Sequence, residues 1–569
     1  MKADLEGIER ALEGLRTELQ PVLRPYWLPW SAGQENLFAV DELLRVGAEL
    51  AHVGQMASDG LQCVVDAIEA RRTGREGQEA QSISEALFAG LVAARPYFRE
   101  AEEQVGRLYS DVAVLAADDL WSPLDSLVST LEHYLRLGHA AFGAATAAPT
   151  LLGETEPVSY MILAQNNDEL RATGGFISAI GLVSVERGKI GQLTIRDSYE
   201  YDKFTVAHPF APEPMQRHMG IILWATRDGN WSPDFPTAVR DIEELYHLEN
   251  PGTISGVLAF DMLAVQAMVK AIGPLELEQY DDRTDGDNVL HKMREYWSAP
   301  PGEWLKHRKD FIGVMASSLL EKLQTQTQPE QMSSLLQVLR HAIDEKHIQL
   351  YFHHPAIQNL LAMSGRDGAL DRSSGQDYLL ALDTNMGYNK VNVNVEKRIE
   401  YEVTLEKDNT PQATLTITYQ NRSPAQAACV RFQQQSTNYE AWTQDCYWNY
   451  LRVYVPPGTQ LLATEGVTET ETLASQEGKT VFATFFVVPA GESLTVRFTY
   501  RLPTPVREEY RLLVQKQAGT DAVPLEVRII IPPGVRVSST DPQPQSVQQG
   551  TLFYELDLRR DRSLFVRLH

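Results

Sequence analysis

The chain has 569 residues, 43% apolar and 22% charged, with a formal net charge of −25 at pH 7. That length implies roughly three to four domains of ordinary globular composition. The acidic balance excludes a nucleic-acid surface and broad electrostatic docking on anionic lipid, so an anionic ligand would need a local basic pocket.

Residues 1 to about 150 read as a helical bundle. Leu5, Ile8, Leu12 and Leu15 recur at helical spacing, as do Leu43, Leu44, Val46, Leu50 and Val53. Pro21, Pro25 and Pro29 separate the first helix from the second, RRTGREGQ at 71–78 is a polar turn, and Trp121-Ser122-Pro123 marks a further break with Ser122 as N-cap. The region carries 12 basic and 23 acidic residues and reads as a spacer or packing module. MKADLEGIERALEGL is amphipathic without an apolar h-region, and no run of about 18 apolar residues follows anywhere. The chain as it stands therefore reads as soluble, which leaves open an anchor upstream. Cys63 falls in an apolar helical run and reads as a buried thiol.

From about 157 to 390 the pattern becomes mixed α/β. Strands are predicted over 158–164, 175–185, 192–196 and 256–260, the last ending at Asp261. Helices are predicted over 238–248, 262–272, 310–323, 331–345 and 355–361, with Gly273-Pro274 stopping the second of them. The most informative stretch is YMILAQNNDELRATGGFISAIGLVSVERGKIGQLTIRDSYEYD at 160–202. It delivers Asn166, Asn167, Asp168, Arg171, Arg196 and Asp197 from strand ends and loops. Arginine forks grip phosphate oxygens in pairs, and carboxylates hold the accompanying Mg²⁺. The same Arg-Asp pair also reads as a structural salt bridge ending a strand.

RDGNWSPDFP at 227–236 is a defined irregular loop whose Trp231 and Phe235 either face a sugar or lipid chain or pack inward. His307-Arg308-Lys309-Asp310 opens a helix, where cations oppose the macrodipole unless an anion is bound; the alternative is a solvated turn. Asp281, Asp282, Asp285 and Asp287 fail as a calcium loop, because Arg283 and Lys292 stand at ligand positions. His341, His347, His353 and His354 lack metal-site spacing and read as ordinary helix and loop. The sequence contains no Walker A, GxGxxG, GxSxG, CxxC or HExxH motif.

After about 390 the chain is β-rich, with strands predicted over 398–405, 413–419, 451–455, 481–488 and 494–500. Cys429 and Cys446 are near enough to form a local disulfide in an extracytoplasmic compartment. LRVYVPPGTQL at 451–461 recurs as VRIIIPPGVRV at 527–537, TVF at 480–482 as TLF at 551–553, and SLTVRF at 493–498 as SLFVRL at 563–568. The repeat implies two related β-sandwich modules, 391–505 and 506–569, or two halves of one large sandwich.

NNDELRATGGF, IRDSYEYD, RDGNWSPDFP, ISGVLAFDMLAVQAMVKAIGPLEL, RKDFIGVMASSLLEKL and DEKHIQLYF together resemble the bacterial family called domain of unknown function 4012, over about residues 30–505. The resemblance implies a cell-envelope, extracytoplasmic location and this domain layout, without an activity. The central domain also resembles, more distantly, the LytR-CpsA-Psr phosphotransferases, which move glycopolymers from a polyprenyl pyrophosphate carrier to the cell wall. By that likeness Arg171, Arg196 and Arg308, with Lys309 beside it, would grip the pyrophosphate. Asp197 would help hold Mg²⁺ and activate the nucleophile. Asn166, Asn167 and Trp231 complete the expected substrate site. Thr173-Gly174-Gly175 departs from that family's Ser-Asp-Thr and removes a metal-binding aspartate, for which Asp168 or the asparagines would have to substitute.

The expectation is thus a multidomain α+β protein: a helical bundle (1–150), a central LytR-CpsA-Psr-like α/β domain (157–390) and C-terminal β-sandwich modules. Its expected function is binding a polyprenyl-pyrophosphate-linked glycan or wall polymer in the envelope, with or without Mg²⁺-dependent transfer of glycan phosphate. The alternative is a non-catalytic scaffold or a structural subunit, homo-oligomeric or not, with a degenerate fold. Arginines converging on an apolar groove would favour the enzyme, and arginines buried in salt bridges would favour the scaffold.

Overall fold

The computed structural model describes residues 2–23, 32–72, 82–116, 120–298, 310–325, 329–373, 375–406, 410–424, 429 and 438–569. Helices α1 (Lys2–Leu23), α2 (Ala32–Arg72), α3 (Ile83–Leu115) and α4 (Ser122–Leu151) form the N-terminal bundle. Val46, Val53, Val105, Leu108, Val112 and Leu135 fill its core, each recurring at helical spacing. Ser82 and Glu85 close a capping box at the start of α3. The N-cap of α4 is Trp121 rather than Ser122, with Pro at the start of the first turn, where its missing N–H costs nothing.

The central sheet has the order β3-β2-β1-β5-β8, with β4 on β2. Its strands are β1 (Val158–Asn166), β2 (Phe176–Glu186), β3 (Lys189–Ile190), β4 (Thr194–Asp197), β5 (Gly256–Asp261) and β8 (Ile348–Phe352). β1 and β5 are parallel, and the other pairs run antiparallel. Strand alternation sends Met161 and Leu163 to one face, where they meet Phe235, Val239 and Ile242 of α6 (Phe235–His247). The opposite face receives α7 (Met262–Ile272), α8 (Val289–Trp297) and α9 (Asp310–Thr325). α7 starts on the Asp261 cap and also packs against α10 (Pro329–Asp344). β8 corrects the reading of 347–354 as helix and loop. Ile348, Leu350 and Phe352 alternate as a strand does, which the cluster of histidines around them obscured.

Two seven-stranded sheets share one apolar core in the C-terminal region. Beyond β9 (Asp377–Asn385) and β10 (Val395–Thr404), the strands are β11 (Gln412–Asn421), β12 (Tyr447–Val455), β13 (Gln460–Glu465), β14 (Glu471–Gln476), β15 (Lys479–Val488) and β16 (Ser493–Arg501). They continue with β17 (Glu509–Val514), β18 (Pro524–Ile530), β19 (Val537–Asp541), β20 (Ser546–Gln548), β21 (Thr551–Asp557) and β22 (Arg562–Leu568). Sheet I has the order β13-β16-β11-β10-β18-β21-β20, and sheet II the order β14-β15-β12-β9-β17-β22-β19. β9, upstream of the β-rich stretch recognised in the sequence, is the middle strand of sheet II, and β10 is the middle strand of sheet I. The sequence repeat maps β11–β16 (residues 412–501) onto β17–β22 (residues 509–568) in the same order. Reading sheet II backwards places every strand opposite its repeat partner in sheet I. The two repeat units are therefore related by a pseudo-twofold that exchanges the sheets, and each unit gives three strands to each sheet. Only the middle strands break the relation: β10 is parallel to β18, whereas β9 is antiparallel to β12.

Candidate functional site

The loop between β1 and β2, residues 167–175, is held by its own turns: Glu169 N–H donates to Asn166 O at 3.1 Å and Phe176 N–H to Glu169 O at 2.9 Å. Its glycines have a steric cause. A Cβ on Gly175 would lie 2.3 Å from the Asn166 backbone, and one on Gly519 (φ +79°) would lie 1.9 Å from Gly174 O. Two backbones cross there, one from the central domain and one from the sandwich.

Almost every polar side chain of this loop is spent on that seam. Asn166 Nδ2 donates to Tyr439 Oη at 2.9 Å, and Asn167 Nδ2 to Gly519 O at 3.3 Å. Gln517 Nε2 donates to Arg171 O, and Asn392 N–H to Asp168 O. Tyr439 lies in the β11–β12 connection, on the short helix Tyr439–Thr443, while Gln517 and Gly519 lie in the β17–β18 connection. These connections are equivalents under the repeat, so both units clamp the same loop.

Arg171 is 1% exposed. Its guanidinium donates to Glu169 Oε1 at 2.9 Å and to Asn385 O, and lies 4.0 Å from Asp228 Oδ1. The other Glu169 oxygen accepts from Lys390. Burial pushes the Asp228 carboxyl above its ordinary range, with Arg171 and Arg227 opposing. Arg227 pairs with Asp202 at 2.9 Å and lies over the Tyr199 ring. Arg171 is thus a bonded member of a buried ionic network.

The other expected site residues are dispersed. Arg196 is exposed on β4 and faces the α6 side, opposite the face that carries Ile195. Asp197 caps the turn Ser198–Glu200 through Tyr199 N–H. Asp168 is buried, with Oδ1 and Oδ2 engaged by Arg294 at 2.9 and 2.8 Å and Tyr439 Oη on Oδ2 at 2.7 Å. Neither carboxylate presents an open oxygen set for Mg²⁺, and among the described residues no group of three or more His, Cys, Asp or Glu is placed to hold a metal ion. Trp231 lies beneath the Arg452 guanidinium, 3.9 Å from its ring centroid, and stacks on Tyr450. Asn230 donates to Gly175 O at 2.8 Å and Thr173 Oγ1 at 3.1 Å, so the RDGNWSPDFP loop braces the seam as well. Arg308 and Lys309 lie outside the described residues.

Sequence reasoning missed an apolar cavity of about 240 Å³ on the sheet face opposite α6. Its floor is Ile162 and Ala164 of β1, Ile195 of β4 and Phe260 of β5. Met262, Val265 and Met268 of α7, Met293 of α8, and Phe311, Met315 and Leu319 of α9 form the walls. The signal was present in MLAVQAMVKAI and FIGVMASSLL, which carry more apolar residues than one helix face needs. Four methionines give the walls an adaptable, polarisable lining.

The polar end of the cavity is Gln165, Asn166, Ser178, Asp261 and Tyr439. Asp261 is fully engaged, capping α7 through Ala264 N–H at 2.9 Å and accepting from His347 Nδ1 at 2.6 Å. Ser178 is different. The β1–β2 register runs from Ala164↔Ala179 to Gln165↔Ile177, so Ser178 is the extra residue of a β-bulge. Ser178 lines the cavity, and its hydroxyl is buried without a hydrogen-bond partner.

Residues 155–296 match the model of a family described as protein of unknown function (DUF4012). No curated protein matches the chain. Among solved structures, similarity is found to an M1 zinc metallopeptidase mutant of Deinococcus radiodurans bound to a Tyr-Ser-Ala substrate, at 13% identity and a TM-score of 0.17. The unmutated enzyme gives 12% identity and a TM-score of 0.18; both alignments cover 31% of this chain and 42% of the other. The chain thus spans less than half the length of these structures, and superposition at this level carries no argument about fold or activity.

Proposed function

We propose that the protein, whose residues 155–296 match the DUF4012 family model, binds the apolar tail of a lipid-linked glycan, of the polyprenyl pyrophosphate class, and presents it without transferring phosphate. The observation that carries this reading is the methionine-rich cavity, one end of which is lined by Ser178 with its buried, unpaired hydroxyl. An empty apolar cavity costs packing energy that an apolar chain would restore, and an unpaired buried hydroxyl costs about 1–3 kcal/mol until a polar group meets it. The Cys429–Cys446 bond supports an extracytoplasmic location, where disulfides persist.

Phosphoryl transfer, the second reading, needs cations free to meet the charge that develops on the phosphate. Arg171 is committed to Glu169, and Asp168 to Arg294, which favours binding over turnover. Calorimetric titration with a short polyprenyl pyrophosphate, with and without Mg²⁺, tests both. The expected result is metal-independent binding that Ala316→Trp, which fills the cavity, abolishes and Arg196→Ala leaves unchanged. Binding that requires Mg²⁺ and is lost in Arg196→Ala would restore the transferase. No binding by the wild type would leave a scaffold.

A further inference from the structure

A second feature, on the α6 side of the sheet, belongs to neither the seam nor the cavity. Residues 203–210 and 220–223 expose Phe204, Val206, Phe210, Ile222 and Leu223 together. Phe210 is 73% exposed, so the surface protrudes rather than forming a groove. Isolated exposed apolar residues need no explanation, but a contiguous group on a rigid support does.

The support is built from buried polar groups. The Glu249 carboxylate accepts from the N–H groups of Lys203, Phe204 and Thr205 and from the Thr205 hydroxyl, at 2.6–2.9 Å. His208 ties the far end of the segment to Trp224 O at 2.8 Å. Although burial works against it, those bonds hold the Glu249 carboxyl down at about 2, so the support is charged at any ordinary pH. Phe204 is kept at φ +53°, an unfavourable conformation for an aromatic residue that persists only where the surroundings over-determine it. Phe210 and Leu223 are bridged side by side by Ala211 N–H to Ile222 O and Trp224 N–H to Pro209 O. The chain therefore fixes its backbone in order to hold apolar side chains in water.

The chemistry of the surface identifies what it meets. In a protein of charge −25, the exposed residues of 203–210 and 220–223 include no carboxylate and one cation, Lys203; Glu200 and Glu213 flank the surface. A protruding apolar group without a ring of hydrogen-bonding partners suits a fluid surface that closes around it, whereas a protein partner requires a matching pocket. We propose that this loop pair inserts into the interfacial region of a lipid bilayer, with Phe210, Val206 and Ile222 as the inserting side chains and Lys203 at headgroup level. The insertion is hydrophobic, so it does not depend on the electrostatic docking that the net charge forbids.

The test is co-sedimentation of the full chain with phosphatidylcholine vesicles, with and without phosphatidylglycerol. The wild type should bind both, and Phe210→Ser/Ile222→Ser should bind at least roughly tenfold more weakly, because the two most exposed apolar side chains of the surface are lost. Both side chains are exposed, so circular dichroism should show the variant folded. Lys203→Glu should weaken binding to the anionic vesicles alone. Ala316→Trp, which blocks the cavity, should still sediment with vesicles, separating this surface from lipid-tail binding. A wild type that stays in the supernatant, or a double variant that binds as the wild type does, overturns the proposal. Concentration-dependent dimerisation lost in the double variant, without vesicle binding, would instead make the surface an interface between copies.

Discussion

The seam and the cavity stand back to back in the central domain and spend their residues in opposite ways. The seam is polar and crowded: Arg171, Glu169, Lys390, Asn166 and Asp168 all have partners, many of them from the sandwich. The cavity is apolar and roomy, and its one displaced polar group, Ser178, has none. Charged residues that look catalytic in a sequence are also what holds two domains in one orientation. Room for a ligand is left by residues that look like ordinary core.

The comparison breaks first if Arg171 proves dispensable. Arg171→Ala leaves Glu169 and Asp228 short of a buried cation, and the expected cost is about 3–5 kcal/mol in denaturant unfolding. A loss below 1 kcal/mol would mean that the seam does not depend on its ion pairs.

A buried carboxylate without a cation sharpens the contrast. Asp377 accepts from the Tyr401 and Tyr510 hydroxyls, each at 2.6 Å. Burial raises its carboxyl from 3.8 to about 6, against those two hydrogen bonds. Because the folded value lies above the unfolded one, the folded state holds the extra proton between them. The contribution of Asp377 to stability should be fullest below about pH 4, fall as the pH rises to about 6 and level off above, a change of about 3 kcal/mol. Asp377→Asn should remove that slope, as read from urea midpoints at pH 4, 5 and 6.5.

Tyr439→Phe acts where seam and cavity meet. It removes the hydroxyl bonded to Asp168 and Asn166, and a loss of about 1–2 kcal/mol is expected, read as a lower melting temperature. The smallest effect should come from Ser178→Ala. With no partner to lose, the free protein should be unchanged or stabilised by up to about 1 kcal/mol, while its affinity for a lipid-linked ligand falls. Destabilisation of the free protein by Ser178→Ala would place a partner on that hydroxyl and erase the difference between the two regions.

Much of this architecture was legible in the sequence because it rests on local signals. The helix 262–272 is announced by Asp261 as its cap and Gly273-Pro274 as its stop, and the structure gives Met262–Ile272. The recurring PPG segments announced the repeat, although not that its units would exchange sheets, since strand order is set by contacts far apart in sequence. The same limit hid the site. Arg171 and Arg196 are both conspicuous, but strand alternation and domain docking send one into a salt-bridge network and leave the other on an open face. Ser178 carries no pattern of its own; a one-residue register slip between β1 and β2 leaves it beside the cavity, and such slips leave little trace in composition.

The interlaced strands of the C-terminal region have a consequence for how such a chain is assembled. Neither 412–501 nor 509–568 owns a complete sheet, so neither half has a core to collapse around until the other is present. The arrangement is that of a strand-swapped homodimer whose two subunits have been joined end to end, with β9 and β10 driven between them as keystones. A fused dimer of this kind does not come apart by dilution. The twofold relation leaves two matching hooks, each closing on the same loop of a neighbouring domain.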